Sequence, residues 1–250
     1  MQPQNWLRRW GGHNRKGRVP MVKQQMSESL PLGFLLMLAG GFLDAYSYLC
    51  RGEVFANAQT GNIVLLGISL AQCQWETALQ YFIPIAVFAF GILIAEKLRN
   101  SCKEKTNLHW RQVILLLEIL ILTLTVFLGA AWNWLANSMI SFVCALQVES
   151  FRKVRGNAYA TTMCTGNLRS AAEAMYRYEH TGDAGQRNKS LMYYCLVVAF
   201  MVGALLGAIC SKWLHYWAVL VDLVPLALCF LIMFREEDNM EFLFHKKPQK

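Results

Sequence analysis

Residues 41–66 read GFLDAYSYLCRGEVFANAQTGNIVLL, and residues 146–171 read LQVESFRKVRGNAYATTMCTGNLRSA. The triplet Thr60-Gly61-Asn62 returns as Thr165-Gly166-Asn167, and in each copy an acid stands sixteen positions before the threonine, Asp44 in the first and Glu149 in the second. The 105-residue offset defines an internal repeat. Repeats of this kind build many membrane transporters and channels, so the pattern speaks to architecture before substrate.

Outward from these copies the chain is apolar. Of its 250 residues 55% are hydrophobic and 16% charged, with a mean hydropathy of +0.29; a soluble domain carries about a quarter charged residues. The runs 30–49, 78–95, 113–135, 191–214 and 216–234 are each roughly 18 to 24 residues, enough to cross about 30 Å of hydrocarbon as helix. Nothing alternates as lipid-exposed strands would, and in lipid the backbone must satisfy its own hydrogen bonds. The fold class expected is all-α and polytopic.

The formal charge of +8 does not point to nucleic acid, because Lys and Arg cluster in the connectors between apolar runs, where they set topology. The eight cysteines contain no C-x-x-C pair, and the five histidines show no ligand spacing. No metal, disulfide framework or cofactor is expected.

Two topologies can be told apart by counting. If both T-G-N segments cross fully there are eight spans. The outside loops then hold ten of the 24 Lys and Arg residues, namely Arg51, Lys97, Arg99, Lys103, Lys105, Arg111, Arg152, Lys153, Arg155 and Lys212. If each segment enters and leaves on one side there are six spans, and Arg51 and Lys212 alone fall outside. The positive-inside rule favours six, with both termini cytoplasmic. Three crossings per repeat then force the second repeat to be inverted. The organisation expected is a basic tail over 1–29, membrane repeats over 30–135 and 136–234, and a cytoplasmic tail over 235–250. Met26 is a natural alternative start, which leaves it open whether residues 1–25 belong to the native product. The first apolar run is too long for a signal-peptide h-region, and cleavage after it would split the first repeat.

Thr-Gly-Asn suits a helix interruption: glycine tolerates the backbone angles, and threonine and asparagine satisfy groups that the break frees. Thr60, Gly61, Asn62, Thr165, Gly166 and Asn167 are therefore the candidate solute site, where a half-helix would present its positive end to an anionic or carbonyl-bearing ligand. The blander reading is a break that lets two hairpins pack. Asp44 and Glu149 are costly inside lipid, at least about 2.5 kcal/mol each when charged. Coupling to a proton or cation and structural pairing with Arg51 or Arg155 both fit. Glu118 and Asp222, 104 positions apart, read as structural or protonated acids near the start of the last span of each repeat. Arg169 reads as snorkelling to the cytoplasm.

The stretches GGFLDAYSYL…FANAQTGNIVLLG and ALQVESFRKVRGNAYATTMCTGNLRS resemble the YoaK family of uncharacterised bacterial membrane proteins, over about Leu30 to Phe234. The resemblance implies a multi-pass protein of the bacterial cytoplasmic membrane and supplies no functional residue to transfer; the long basic tail departs from the family's compact start. The function expected is transport or channelling of an unidentified small solute. The partners are the lipid bilayer and that solute, with room for a homo-oligomer. A membrane enzyme is the runner-up, weakened by the lack of a nucleophile motif, a His/Cys cluster or a soluble catalytic domain. A non-transporting scaffold or regulatory protein is the third reading.

Overall fold

The computed structural model describes residues 28–102 and 110–245, with side chains over 28–99 and 110–234. The basic tail before residue 28, connector residues 103–109 and the last five residues lie outside the described chain. Eight α-helices follow in order: α1 Leu30–Cys50, α2 Gln59–Ala71, α3 Trp75–Cys102, α4 Trp110–Thr125, α5 Asn133–Ser150, α6 Cys164–Thr181, α7 Ala184–Leu214 and α8 Val219–His245. Two-residue strands, β1 Lys153–Val154 and β2 Asn157–Ala158, pair antiparallel in the connector before α6. The described chain is helical, as expected.

Side-chain contacts fix the direction of each long helix. Cys50 Sγ, at the end of α1, lies 3.9 Å from Ser211 O of α7. A Cβ built on Gly33, near the start of α1, would meet Leu196 of the same helix. Thus α1 and α7 run in parallel. α3 runs the other way: Gln80 Nε2, early in α3, donates to Gly52 O just past α1 (2.7 Å), while Arg99 lies 3.9 Å from Glu149 at the far end. α5 begins beside Arg51, where Asn137 Nδ2 donates to Arg51 O (2.8 Å), and ends where Arg111 Nε donates to Ser150 O (2.9 Å). Call the Cys50 end upper and the Glu149 end lower. α1, α4 and α7 rise, and α3, α5 and α8 descend.

Helices α2 and α6 do neither. Asn57, two residues before α2, donates its Nδ2 to Gly40 O (3.2 Å), so the chain leaving the top of α1 has already turned back to mid-helix. From there α2, 13 residues and about 20 Å long, returns to the upper end, where α3 starts. α6 also starts at the level of Gly40, since a Cβ on Gly40 would meet Thr161 O, and it returns to the lower end, where α7 starts.

Packing crosses between the halves. α1 packs on α7 and α8, α5 packs on α3 and α4, and α4 packs on α8. The α1–α7 seam needs small residues, because a Cβ on Gly41 would collide with the Phe200 carbonyl and one on Gly203 with that of Leu38. Leu36, Phe42, Leu43, Leu122, Ile140 and Leu226 fill the central core.

Among the described residues, three helical runs are long and apolar enough to cross a membrane: Leu30–Cys50, Trp75–Arg99 and Ala184–Phe234. The last holds both α7 and α8, separated at His215 by a backbone kink (φ 49°). The run expected as one span over 113–135 is divided. α4 stops at Thr125 and α5 begins at Asn133, with Trp132 at its cap position and Trp134 in its first turn. The intervening turn, Val126 to Trp132, is itself apolar, which is why hydropathy reads through it.

Arg51 fastens that turn. It is fully buried and finds no carboxylate: Nε donates to Tyr46 Oη (2.9 Å), Nη2 to Thr125 O (2.7 Å), and Nη1 to Leu128 O (2.6 Å) and Asn133 Oδ1 (3.3 Å). Its guanidinium also lies 4.2 Å from the Tyr216 ring centroid. The planar fork satisfies carbonyls freed where α4 ends, and its positive charge suits a helix C-terminus. The pairing of Arg51 with Asp44, one of the two readings open in the sequence, is therefore not made.

Candidate functional site

The site begins with the connector that descends from α1. Asp44 Oδ1 accepts from the backbone N–H groups of Asn57 (3.1 Å) and Ala58 (3.0 Å), the latter at the cap position of α2. A carboxylate here meets donors that the helix cannot satisfy itself and complements its positive end. Asn62 then closes the connector: its Oδ1 accepts from Phe55 N (3.0 Å), and its Nδ2 donates to Phe55 O and to Gln59 Oε1 (3.0 Å). Asn167 does the same work in the second copy, donating to Ala160 O (3.0 Å), again seven residues back.

Between the starts of α2 and α6 lies a cavity of about 640 Å³. Gln59 and Thr60 border it from α2, and Cys164, Thr165 and Gly166 border it from α6; Asp44 and Asn57 line it as well. The two T-G-N copies thus meet, but unequally. Thr60, Thr165 and Gly166 reach the cavity, Gly61 packs under the Phe55 ring, and Asn62 and Asn167 turn back into their connectors. The rest of the wall is mainly apolar, including Tyr48, Phe55, Phe88 and Phe200. Of these, Asn57 had a signal in the polar run FANAQTGN; the aromatic residues had none, because the helix pairing that gathers them is not written in their spacing.

The four acids go to different places. Asp44 is at the cavity. Glu149 is at the lower end, paired with Arg152 three residues on and 3.9 Å from Arg99, while Glu96 receives both arginines, Arg99 at 3.4 Å and Arg152 at 3.3 Å. Arg155, the other partner open to Glu149 in the sequence, turns the β1–β2 hairpin and donates its backbone N–H to Glu28 O (2.7 Å). Glu118 on α4 and Asp222 on α8 are fully buried within electrostatic range of each other, and neither carboxyl has a hydrogen-bond partner among the described residues. Arg169 is exposed and paired with Glu173 (2.8 Å), whose carboxyl it holds below the usual range.

Over residues 32–233 the chain matches the family described as protein of unknown function (DUF1275). It is 25% identical over 214 residues to the UPF0700 transmembrane protein YoaK of Bacillus subtilis (strain 168), an alignment covering 80% of this chain and 90% of that one. No solved structure matches the chain.

Proposed function

The chain belongs to the DUF1275 family of proteins of unknown function, and from that premise we propose that it is a multi-pass protein of the bacterial cytoplasmic membrane that carries a small solute without converting it. Helices α1, α3, α4, α5, α7 and α8 cross the bilayer, and α2 and α6 are re-entrant, entering from opposite sides. With three crossings per repeat, the halves are inverted about an axis in the membrane plane, and both termini are cytoplasmic.

One observation carries this reading: two helix starts that come from opposite ends of the molecule border one cavity beside a carboxyl group. Irregular backbone at membrane depth is tolerated where it lines a polar cavity, and inverted repeats commonly place substrate at their junction.

The test uses the native Cys164, which borders the cavity and is half-buried. In a chain with the other cysteines replaced by serine or alanine, a charged, membrane-impermeant thiol reagent should modify Cys164 in membrane vesicles. A Cys164 that stays unreactive from both sides, yet reacts after denaturation, would remove the solute pathway.

A further inference from the structure

The cavity is electrically lopsided. At α2 the carboxyl of Asp44 meets the connector and cap amides. At α6 the equivalent acid is missing, because Glu149 is held at the lower end by Arg152 and Arg99. Met163, at the cap position of α6, makes no side-chain cap hydrogen bond. The first turn of α6, Cys164 to Gly166, therefore faces the cavity with its positive end uncompensated. A second observation points to a ligand with a donor. Asp44, 5% exposed and bordering the cavity, accepts from both backbone amides at its Oδ1, while its Oδ2 has no hydrogen-bond partner among the described residues. Buried polar oxygens are rarely left so.

Among the described residues around the cavity, Asp44 is the single carboxylate, and there is no Lys, Arg or His. One end thus offers an acceptor (Asp44 Oδ2) and the other offers helix N-terminal amides, with aromatic rings in the wall. A simple anion would settle on α6 but face Asp44. A simple cation would settle on Asp44 but leave the α6 amides unmet. We infer, resting on the solute-pathway reading above, that the cavity binds a zwitterionic amino-carboxylate of amino-acid size with an apolar side chain. The carboxylate lies on the α6 amides, the ammonium faces Asp44, and the side chain rests against Tyr48, Phe55, Phe88 and Phe200. The volume of about 640 Å³ is within the ordinary range for small-molecule sites and accepts such a solute with its water.

The test is protection of Cys164 in the purified full chain carrying that cysteine alone. L-Leucine and L-phenylalanine are compared with their deaminated acids, 4-methylpentanoate and 3-phenylpropionate, and their decarboxylated amines, isopentylamine and phenethylamine. The amino acids should slow alkylation at concentrations about tenfold below those at which either single-charge analogue acts, since one charge-assisted contact is worth roughly that factor. Asp44→Asn should abolish the advantage of the amino acid over the acid. Thermal shifts with the same six compounds read binding independently of thiol reactivity. The inference is overturned if the acids alone protect as well as the amino acids, if the amines alone do, or if none of the six protects or shifts the melt. A reactive Cys164 that no compound protects would overturn the zwitterion while leaving the solute pathway standing.

Discussion

Replacing Asp44 separates its structural from its functional work. Its Oδ1 accepts two backbone N–H groups inside the protein, and Asp44→Ala leaves both without an acceptor. Each lost bond to a charged acceptor is worth about 1.5–3 kcal/mol, and the gap left by the side chain adds to this. Allowing for relaxation, a loss of about 3–5 kcal/mol follows. At about 2–4 °C per kcal/mol for a chain of this size, the melt should fall by roughly 6–20 °C. Asp44→Asn keeps an oxygen where Oδ1 stands, so its melt should fall by no more than about a third of that. The assay is the thermal melt of detergent-purified protein, followed by tryptophan fluorescence. Equal damage from Asn and Ala, or no damage from Ala, would refute the assignment of Asp44 as the acceptor that holds the α2 connector.

Other outcomes follow from the same geometry. Arg51→Lys should destabilise nearly as much as Arg51→Met, by about 3 kcal/mol or more, because an ammonium cannot reproduce the fork that meets Thr125 O, Leu128 O and Tyr46 Oη together; a fully stable Lys variant in the same melt would contradict this. Gly41→Ala should cost about 1–3 kcal/mol by pushing α1 off the Phe200 carbonyl, whereas Gly67→Ala, which meets nothing within 4 Å, should be neutral or gain up to about 1 kcal/mol. Asn62→Ala and Asn167→Ala should each lower stability by about 1–3 kcal/mol, because both side chains tie a connector to its helix. Equal melts for either asparagine variant and the parent would return these residues to the solute site.

The sequence was most legible where polarity interrupted an apolar background. The T-G-N copies, their spacing and the resemblance they carry led to the right family, because a polar run between apolar ones has few explanations in a membrane chain. The positions of Thr60 and Thr165 at the cavity follow from that logic. The α4–α5 turn was hidden for the opposite reason: it is as apolar as the helices it joins. Arg51 was hidden because its partners are backbone carbonyls 74 and 77 residues away, which no residue type announces. Glu149 shows the limit of symmetry reasoning. It holds the same sequence position as Asp44, but Arg152 one helical turn on and Arg99 on a neighbouring helix draw it to the lower end. Arg152 was visible in the spacing, and Arg99 was not.

The account stands on two helices, α2 and α6, that each return to the end they came from, and sidedness tests that most directly. Cys73 lies exposed between α2 and α3, and Asn157 begins β2 of the hairpin before α6. In intact cells, a membrane-impermeant maleimide should label a chain retaining only Cys73, and should label a cysteine-free chain carrying Asn157→Cys only after the membrane is opened. Asn157→Cys labelled from outside with Cys73 protected would mean that α2 and α6 cross the bilayer, and the shared cavity would lose its place between the two sides.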